Sequence, residues 1–283
     1  MNKVILTGID FSDCSVNALE HAISIANKAN ADITMVWVNR PTTGKEIYNV
    51  DPEHITAEVI NRFEKLVSQY QPLLHSGKLH FQIRKGKIYE EIVRVADELD
   101  AFLIMIGTHG SSGYEEFWIG SNANKIVSAT DRPVITIRGG VNISRSIQTI
   151  VMPIDSSIES RQKVPMTALL AKYFDAEIHI LGLFSADVDE IIETVQEYIK
   201  QVKIYLTENQ VRFIVKEMEA ENLTDATIEY AKTVNANLIS IMDEQEITTS
   251  NLWLGPYAQQ MVNHSPIPVM SIHAKDFTTG ASM

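Results

Sequence analysis

The chain has 283 residues, enough for about two domains of ordinary size. Its 24 Lys and Arg stand against 36 Asp and Glu, a net charge of −12 with histidine neutral, which argues against a nucleic-acid backbone or an anionic membrane as the main partner, since both select basic surfaces. With 45% apolar and 21% charged residues the composition is globular rather than disordered, and the single Cys14 excludes an internal disulfide.

The chain opens directly on the apolar Val4-Ile5-Leu6, without the basic, apolar and small-residue succession of a secretory leader. Its longest apolar runs, such as Phe102 to Ile106, are far too short to span a bilayer. A reduced, cytoplasmic location is the expectation.

Strands are predicted near 3–9, 33–38, 79–84, 102–106 and 133–137, each a short run rich in Val and Ile, as strands buried on both faces require. Between them lie amphipathic helical stripes. Val16, Leu19, Ala22, Ile23 and Ala26 share one face behind Ser12 as N-cap. Ile55, Val59, Phe63, Leu66, Val67 and Tyr70 form a second stripe, opened by Asp51-Pro52 in cap and N1 positions. Ile88, Ile92, Val95, Ala96 and Leu99 form a third. After a Gly- and Ser-containing linker at 138–146 the pattern starts again.

The repeat is legible residue by residue. Lys3 to Asp10 matches Gln148 to Asp155, and Ala31 to Val38 matches Ala176 to Leu183, both at an offset of 145. Asp100 to Ile106 matches Asn235 to Ile241, and Arg132 to Ile137 matches Ile267 to Ile272, both at an offset of 135. The second copy has therefore lost ten residues between Val38 and Phe81, and its Ile191, Val195, Tyr198, Ile199, Val202 and Leu206 renew the second stripe. Two tandem α/β domains are expected, at 1–138 and 147–275. Strand–helix alternation with short connections implies a doubly wound parallel sheet with ligands at the carboxyl ends of its strands.

One such end carries chemistry. Gly107-Thr-His-Gly110 follows the fourth strand, nine residues intervene, and Gly120-Ser121 opens the next helical pattern. Glycines let main-chain N–H groups approach an anion closely, and a helix N-terminus favours negative charge. The Ser121 hydroxyl adds a donor. The pattern suits a phosphate tail, although glycines after strands also serve simply as turns.

A Gly-x-x-Gly, nine-residue, Gly-Ser motif in a domain that opens strand-Asp-Phe-Ser resembles the universal stress protein family, and both copies share the likeness. The resemblance implies a five-stranded parallel sheet in each domain, helices on both faces, and a Rossmann-like cleft for ATP, with or without magnesium. It implies that Asp10 reaches the adenine or ribose side, that the backbone at Val38 holds the adenine, and that Gly107, Gly110, Gly120 and Ser121 hold the phosphates. Gly8, Ile9, Ile106, Asn122 and Ala123 would line the cleft. Asn122-Ala123 departs from the aliphatic-then-hydroxyl pair common in the family. The resemblance also places 133–137 and 268–272 at a seam between the domains, an intramolecular pseudo-dimer, with a homodimer of whole chains left open.

The second copy lacks the cradle. Gly107 becomes Met242, Thr108 becomes Asp243, Gly110 becomes Gln245 and Ser121 becomes Pro256, which has no N–H to offer. Asp243, Glu244 and Glu246 add negative charge near the would-be anion site. The second domain is expected not to bind ATP, and Asp155 to keep only the helix-capping role that Asp10 would share.

No histidine pair has helical metal-ligand spacing, and neither a nucleophile elbow nor a Walker A lysine pattern occurs. His109 is expected as loop filler, Cys14 as a small buried residue, Lys125 on a solvated helix face, and the equivalent Trp118 and Trp253 at a core or seam. No general base or arginine finger can be named, so the chain is expected to be a nucleotide-responsive stress regulator rather than a dedicated enzyme, with slow ATP hydrolysis left open. The alternatives are an adenylyl-transferring enzyme of the same broad fold, against which the absence of a Ser-Gly-Gly-rich loop after the first strand counts, and a scaffold that binds no nucleotide.

Overall fold

The apolar runs become strands where their Val and Ile content places them. The structure, a computed structural model, describes residues 2–39, 52–108, 121–139, 145–184, 188–243, 245–248 and 251–274. The first repeat runs β1 (Lys3–Gly8), α1 (Asp13–Ala29), β2 (Ala31–Asn39), α2 (Pro52–Tyr70), β3 (Leu79–Lys85), α3 (Ile88–Glu98), β4 (Leu103–Gly107), α4 (Ser121–Ala129) and β5 (Val134–Ile137). The second runs β6 (Thr149–Ile154), α5 (Val164–Phe174), β7 (Glu177–Phe184), α6 (Asp189–Glu208), β8 (Phe213–Glu219), α7 (Leu223–Thr233), β9 (Leu238–Asp243), β10 (Gln245–Thr248), β11 (Asn251–Leu254), α8 (Pro256–His264) and β12 (Val269–His273).

The sequence led to two five-stranded sheets. The structure joins them into one sheet of ten strands, in the order β3-β2-β1-β4-β5-β12-β9-β6-β7-β8. Within each half every pairing is parallel, and the halves meet where β5 and β12 pair antiparallel with Met270 opposite Ile135. Thr136 Oγ1 donates to the Val269 carbonyl across this junction at 3.3 Å. Fusing the two last strands removes two unpaired edges that isolated domains would expose.

Helices cover both faces. One apolar layer contains Leu19, Ile23 and Phe63 of α1 and α2 together with Leu170 and Ile199 of α5 and α6. The other contains Ile92, Val95 and Ile126 of α3 and α4 together with Ile228 and Met261 of α7 and α8. The helical stripes thus face the sheet as the 3.6-residue period requires. The helices also touch across the seam. α1 packs against α5, and α4 against α8, where Asn124 Nδ2 donates to Asn263 Oδ1 at 3.2 Å. Among the described residues no helix is long and apolar enough to cross a membrane.

The strand order fixes where a ligand would sit. From β1 the chain winds outward to β2 and β3, then crosses back to β4 on the other side of β1. The carboxyl ends of β1 and β4 therefore flank the point where the winding reverses, and at such a point the following loops diverge and leave a crevice.

Candidate nucleotide site at the ends of β1 and β4

Thr7 of β1 lies opposite Met105 of β4, so Gly8, Ile9 and Asp10 leave one strand beside Ile106 and Gly107 on the next. Ile9 N donates to the Val36 carbonyl at 2.9 Å and its side chain is buried. Asp10 is exposed, and its Oδ1 accepts from Ser12 N at 3.0 Å and from the Ser12 hydroxyl at 2.5 Å. Ser12 in turn caps α1 by accepting from Ser15 N at 3.2 Å. Asp10 thus organises the turn into α1, the local role its sequence position suggested.

β2 outruns β1. Its ladder with β1 ends at Val36, opposite Gly8, whereas its ladder with β3 continues to Asn39. Val38 therefore sits, half-buried, on a length of β2 whose inner edge has no strand partner among the described residues. That edge offers main-chain donors and acceptors of the kind that an adenine ring can pair with.

Gly107 answers to packing first. A β-carbon there would stand 2.7 Å from Cys14 Sγ and 3.1 Å from the Cys14 carbonyl carbon and oxygen. Only glycine lets β4 end this close to the first turn of α1. Cys14 is buried as expected, and its thiol donates to the Ile137 carbonyl at 3.3 Å. Gly8 plays a lesser part of the same kind, with Ile106 Cγ2 at 3.2 Å from a β-carbon placed on it.

Gly110 and Gly120, and with them His109 and Trp118, lie outside the described residues. α4 begins at Ser121, where the spacing put it. Asn122 is half-buried, and Ala123 turns inward into the apolar layer that also holds Ile106. Lys125 is exposed, and its Nζ lies 5.7 Å from the centre of the Tyr89 ring on α3. The structure therefore brings Gly8, Ile9, Asp10, Ile106 and Gly107 to two neighbouring strand ends, with Val38 on the next strand.

Phe11 was quoted in the strand-Asp-Phe-Ser motif but given no role. Its φ is +64°, a left-handed conformation that a bulky residue seldom adopts. The ring meets Phe63 edge-on at 5.0 Å, Phe63 stacks on Phe81 at 4.7 Å, and the Arg62 guanidinium lies 5.5 Å from the Phe11 ring centre. These contacts hold a strained turn at the mouth of the crevice. The signal in the sequence was an aromatic directly between a strand-ending Asp and a capping Ser.

The second half keeps the turn and loses the crevice. Asp155 Oδ1 accepts from Ser157 N at 2.8 Å, copying the Asp10 turn. Beyond it the halves part. Met242, buried, stands where Gly107 does, and the first turns of the helix are replaced by a 3-10 segment, Ile158–Arg161. α5 begins only at Val164, the counterpart of Leu19. A side chain at position 242 cannot share space with a helix start placed like that of α1. Lys163 is buried and its Nζ donates to the Ser160 carbonyl. Asp243 is buried beside His273, whose Nδ1 lies 3.2 Å from Oδ1, and burial pushes the carboxyl above its ordinary range. The His273 Nε2 lies 3.8 Å from Asp131 of the first half. In place of the glycine loop stand β10 and β11, an antiparallel hairpin, and Pro256 opens α8 where Ser121 opens α4.

The family model whose description is "Universal stress protein family" matches residues 1–138 and again 146–273. The chain belongs to the universal stress protein family. Among curated proteins of the family, it is similar to universal stress protein MJ0531 of Methanocaldococcus jannaschii, 27% identical over 144 residues that cover 48% of this chain and 82% of the relative. It is 29% identical over 147 residues to universal stress protein YxiE of Bacillus subtilis, covering 48% of this chain and 99% of that one. A solved universal stress protein from Archaeoglobus fulgidus superposes with a TM-score of 0.76 at 14% identity, over 95% of this chain and 98% of that one. The tandem arrangement is thus a fold shared within the family.

Among the described residues no group of three His, Cys, Asp or Glu is placed to hold a metal ion.

Proposed function

We propose that this universal stress protein binds ATP in its first domain, 1–138, and acts as a nucleotide-responsive stress regulator in the cytoplasm, its second domain, 147–275, binding none. The observation that carries the proposal is the contrast between two equivalent strand ends. In the first half Gly107 stops β4 against α1, and the inner edge of β2 at Val38 has no strand beside it. In the second half Met242, the buried Lys163 and a hairpin occupy the corresponding ground. The family resemblance supplies the ligand class.

The residues present fit an adenine nucleotide at the base and ribose end. A β-carbon at Gly107 would close the crevice, the Val38 backbone would hold the adenine, and Asp10 would face the adenine or ribose side. Gly110, Gly120 and the N-terminus of α4 at Ser121 would hold the phosphates, with Gly8, Ile9, Ile106, Asn122 and Ala123 around them. Donors aimed at an anion from a helix start suit a triphosphate tail without a lysine pattern. Magnesium would accompany the phosphates rather than occupy a protein cage, since this ion keeps most of its waters and leans on phosphate oxygens. Nothing in the site supplies a general base, so tight binding with little turnover is expected.

The test is the nucleotide content of freshly purified full-length protein, with Gly120→Val alongside. Bound ATP in the wild type and its loss in the variant supports the proposal. Nucleotide retained by the variant would show that the phosphates sit elsewhere, and wild type that neither carries nor binds ATP would favour a scaffold.

A further inference from the structure

α4 is buried round more of its girth than a sheet can cover. At 3.6 residues per turn, Ile126, Ala123, Val127, Asn124 and Ser128 follow one another round the helix over about 200°. Ala123, Ile126, Val127 and Ser128 are all buried, and Asn124 is half-buried. A helix lying on a sheet needs an apolar stripe of only about half that width. α3 lies along one flank, where Lys125 approaches Tyr89. The opposite flank belongs to the second domain. β11 packs against α4, α8 and β12 adjoin it, and Asn124 donates to Asn263. Leu254, the last residue of β11, is buried at 6% exposure in the same apolar cluster as Ala123, Ile126 and Val127.

The hairpin that makes this contact stands, by the offset of 135, in the place of the glycine loop of the first repeat. We infer that the second domain has turned its former ligand loop into a brace that crosses the seam and positions α4, the helix whose N-terminus at Ser121 receives the phosphates. The affinity of the first domain is then set partly by the second, and Leu254 is the positioning residue that joins them. The inference rests on the nucleotide reading above for its consequence, but not for the brace itself.

Two readouts on the full chain separate the two. One is hydrogen exchange of the α4 amides, 122–129, without nucleotide; the other is ATP affinity by calorimetry. Leu254→Ala is expected to speed α4 exchange at least tenfold and to weaken ATP binding at least fivefold. Leu254→Met, which conserves volume, is expected to leave both within twofold. Leu181→Ala is the control, since Leu181 is also a buried leucine of the second domain in that cluster but lies on β7, three strands from the seam strand β12. It is expected to lower stability while leaving α4 exchange and affinity within twofold. Unchanged α4 exchange in Leu254→Ala, or equal effects in Leu181→Ala, would overturn the brace. If wild type binds no ATP, the nucleotide reading falls, and the exchange comparison still decides whether the hairpin holds α4.

Discussion

Gly107 and Cys14 are in contact through the absence of a side chain: a β-carbon on Gly107 would lie 2.7 Å from the Cys14 sulfur. The end of β4 and the start of α1 are fitted to one another at this point. The second repeat shows the alternative, since with Met242 in the glycine's place its first long helix starts at the counterpart of Leu19.

Gly107→Ala should therefore destabilise the protein by about 1–3 kcal/mol, the usual cost of overpacking. The nearest obstacle is a sulfur, but two more are backbone atoms at 3.1 Å. Cys14→Ala should accordingly recover part of the loss and not all of it. Denaturant midpoints of the two single variants and the double variant check this, and full recovery would mean that the backbone is free to move away.

Asp10 and Asp155 provide a paired experiment. Each accepts from the backbone N–H two residues on, so Asp10→Ala and Asp155→Ala should each cost about 1 kcal/mol as lost caps do. Only Asp10→Ala should also weaken ATP binding. Calorimetric titration of the two variants at matched fraction folded separates the roles, and equal affinities would confine Asp10 to the turn.

His21 is buried on α1, its Nε2 has no hydrogen-bond partner, and burial, aided by Arg145, lowers its pKa from 6.5 to about 4. The unfolded chain therefore takes up a proton that the folded chain refuses, and stability falls as pH drops through the window from about 6.5 to about 4. The loss by pH 5 relative to pH 7.5 should be about 2 kcal/mol from this group. Met166 is the equivalent residue in the second repeat, so His21→Met should flatten that part of the pH profile in urea denaturation at the two pH values. An unchanged slope would remove His21 from the acid response.

His273 is the partner of a carboxyl that is otherwise shut away from water, Asp243 being 1% exposed. His273→Ala should cost about 3 kcal/mol at neutral pH, because it strands a buried acid. Converting Asp243 as well to Thr, the residue at the equivalent position 108, should restore most of that. A double-mutant cycle by denaturation measures the coupling, and additive losses would show the pair to be unlinked.

The sequence by itself determined the repeat, the α/β class and the strands, because short Val- and Ile-rich runs with helical stripes between them satisfy only a parallel sheet covered on both faces. It also marked Asp10, Gly107 and Ser121, since turn chemistry and helix starts are local and leave local signatures. It did not reveal that Gly107 is held glycine by Cys14, since that contact joins positions 93 residues apart. Nor did it show the strain at Phe11, which depends on Phe63 and Phe81 from other elements. The single ten-stranded sheet and the hairpin laid against α4 were decided by tertiary structure alone. Both arise where the two repeats meet, and the burial that drives such a meeting belongs to surfaces that no local pattern of residues records.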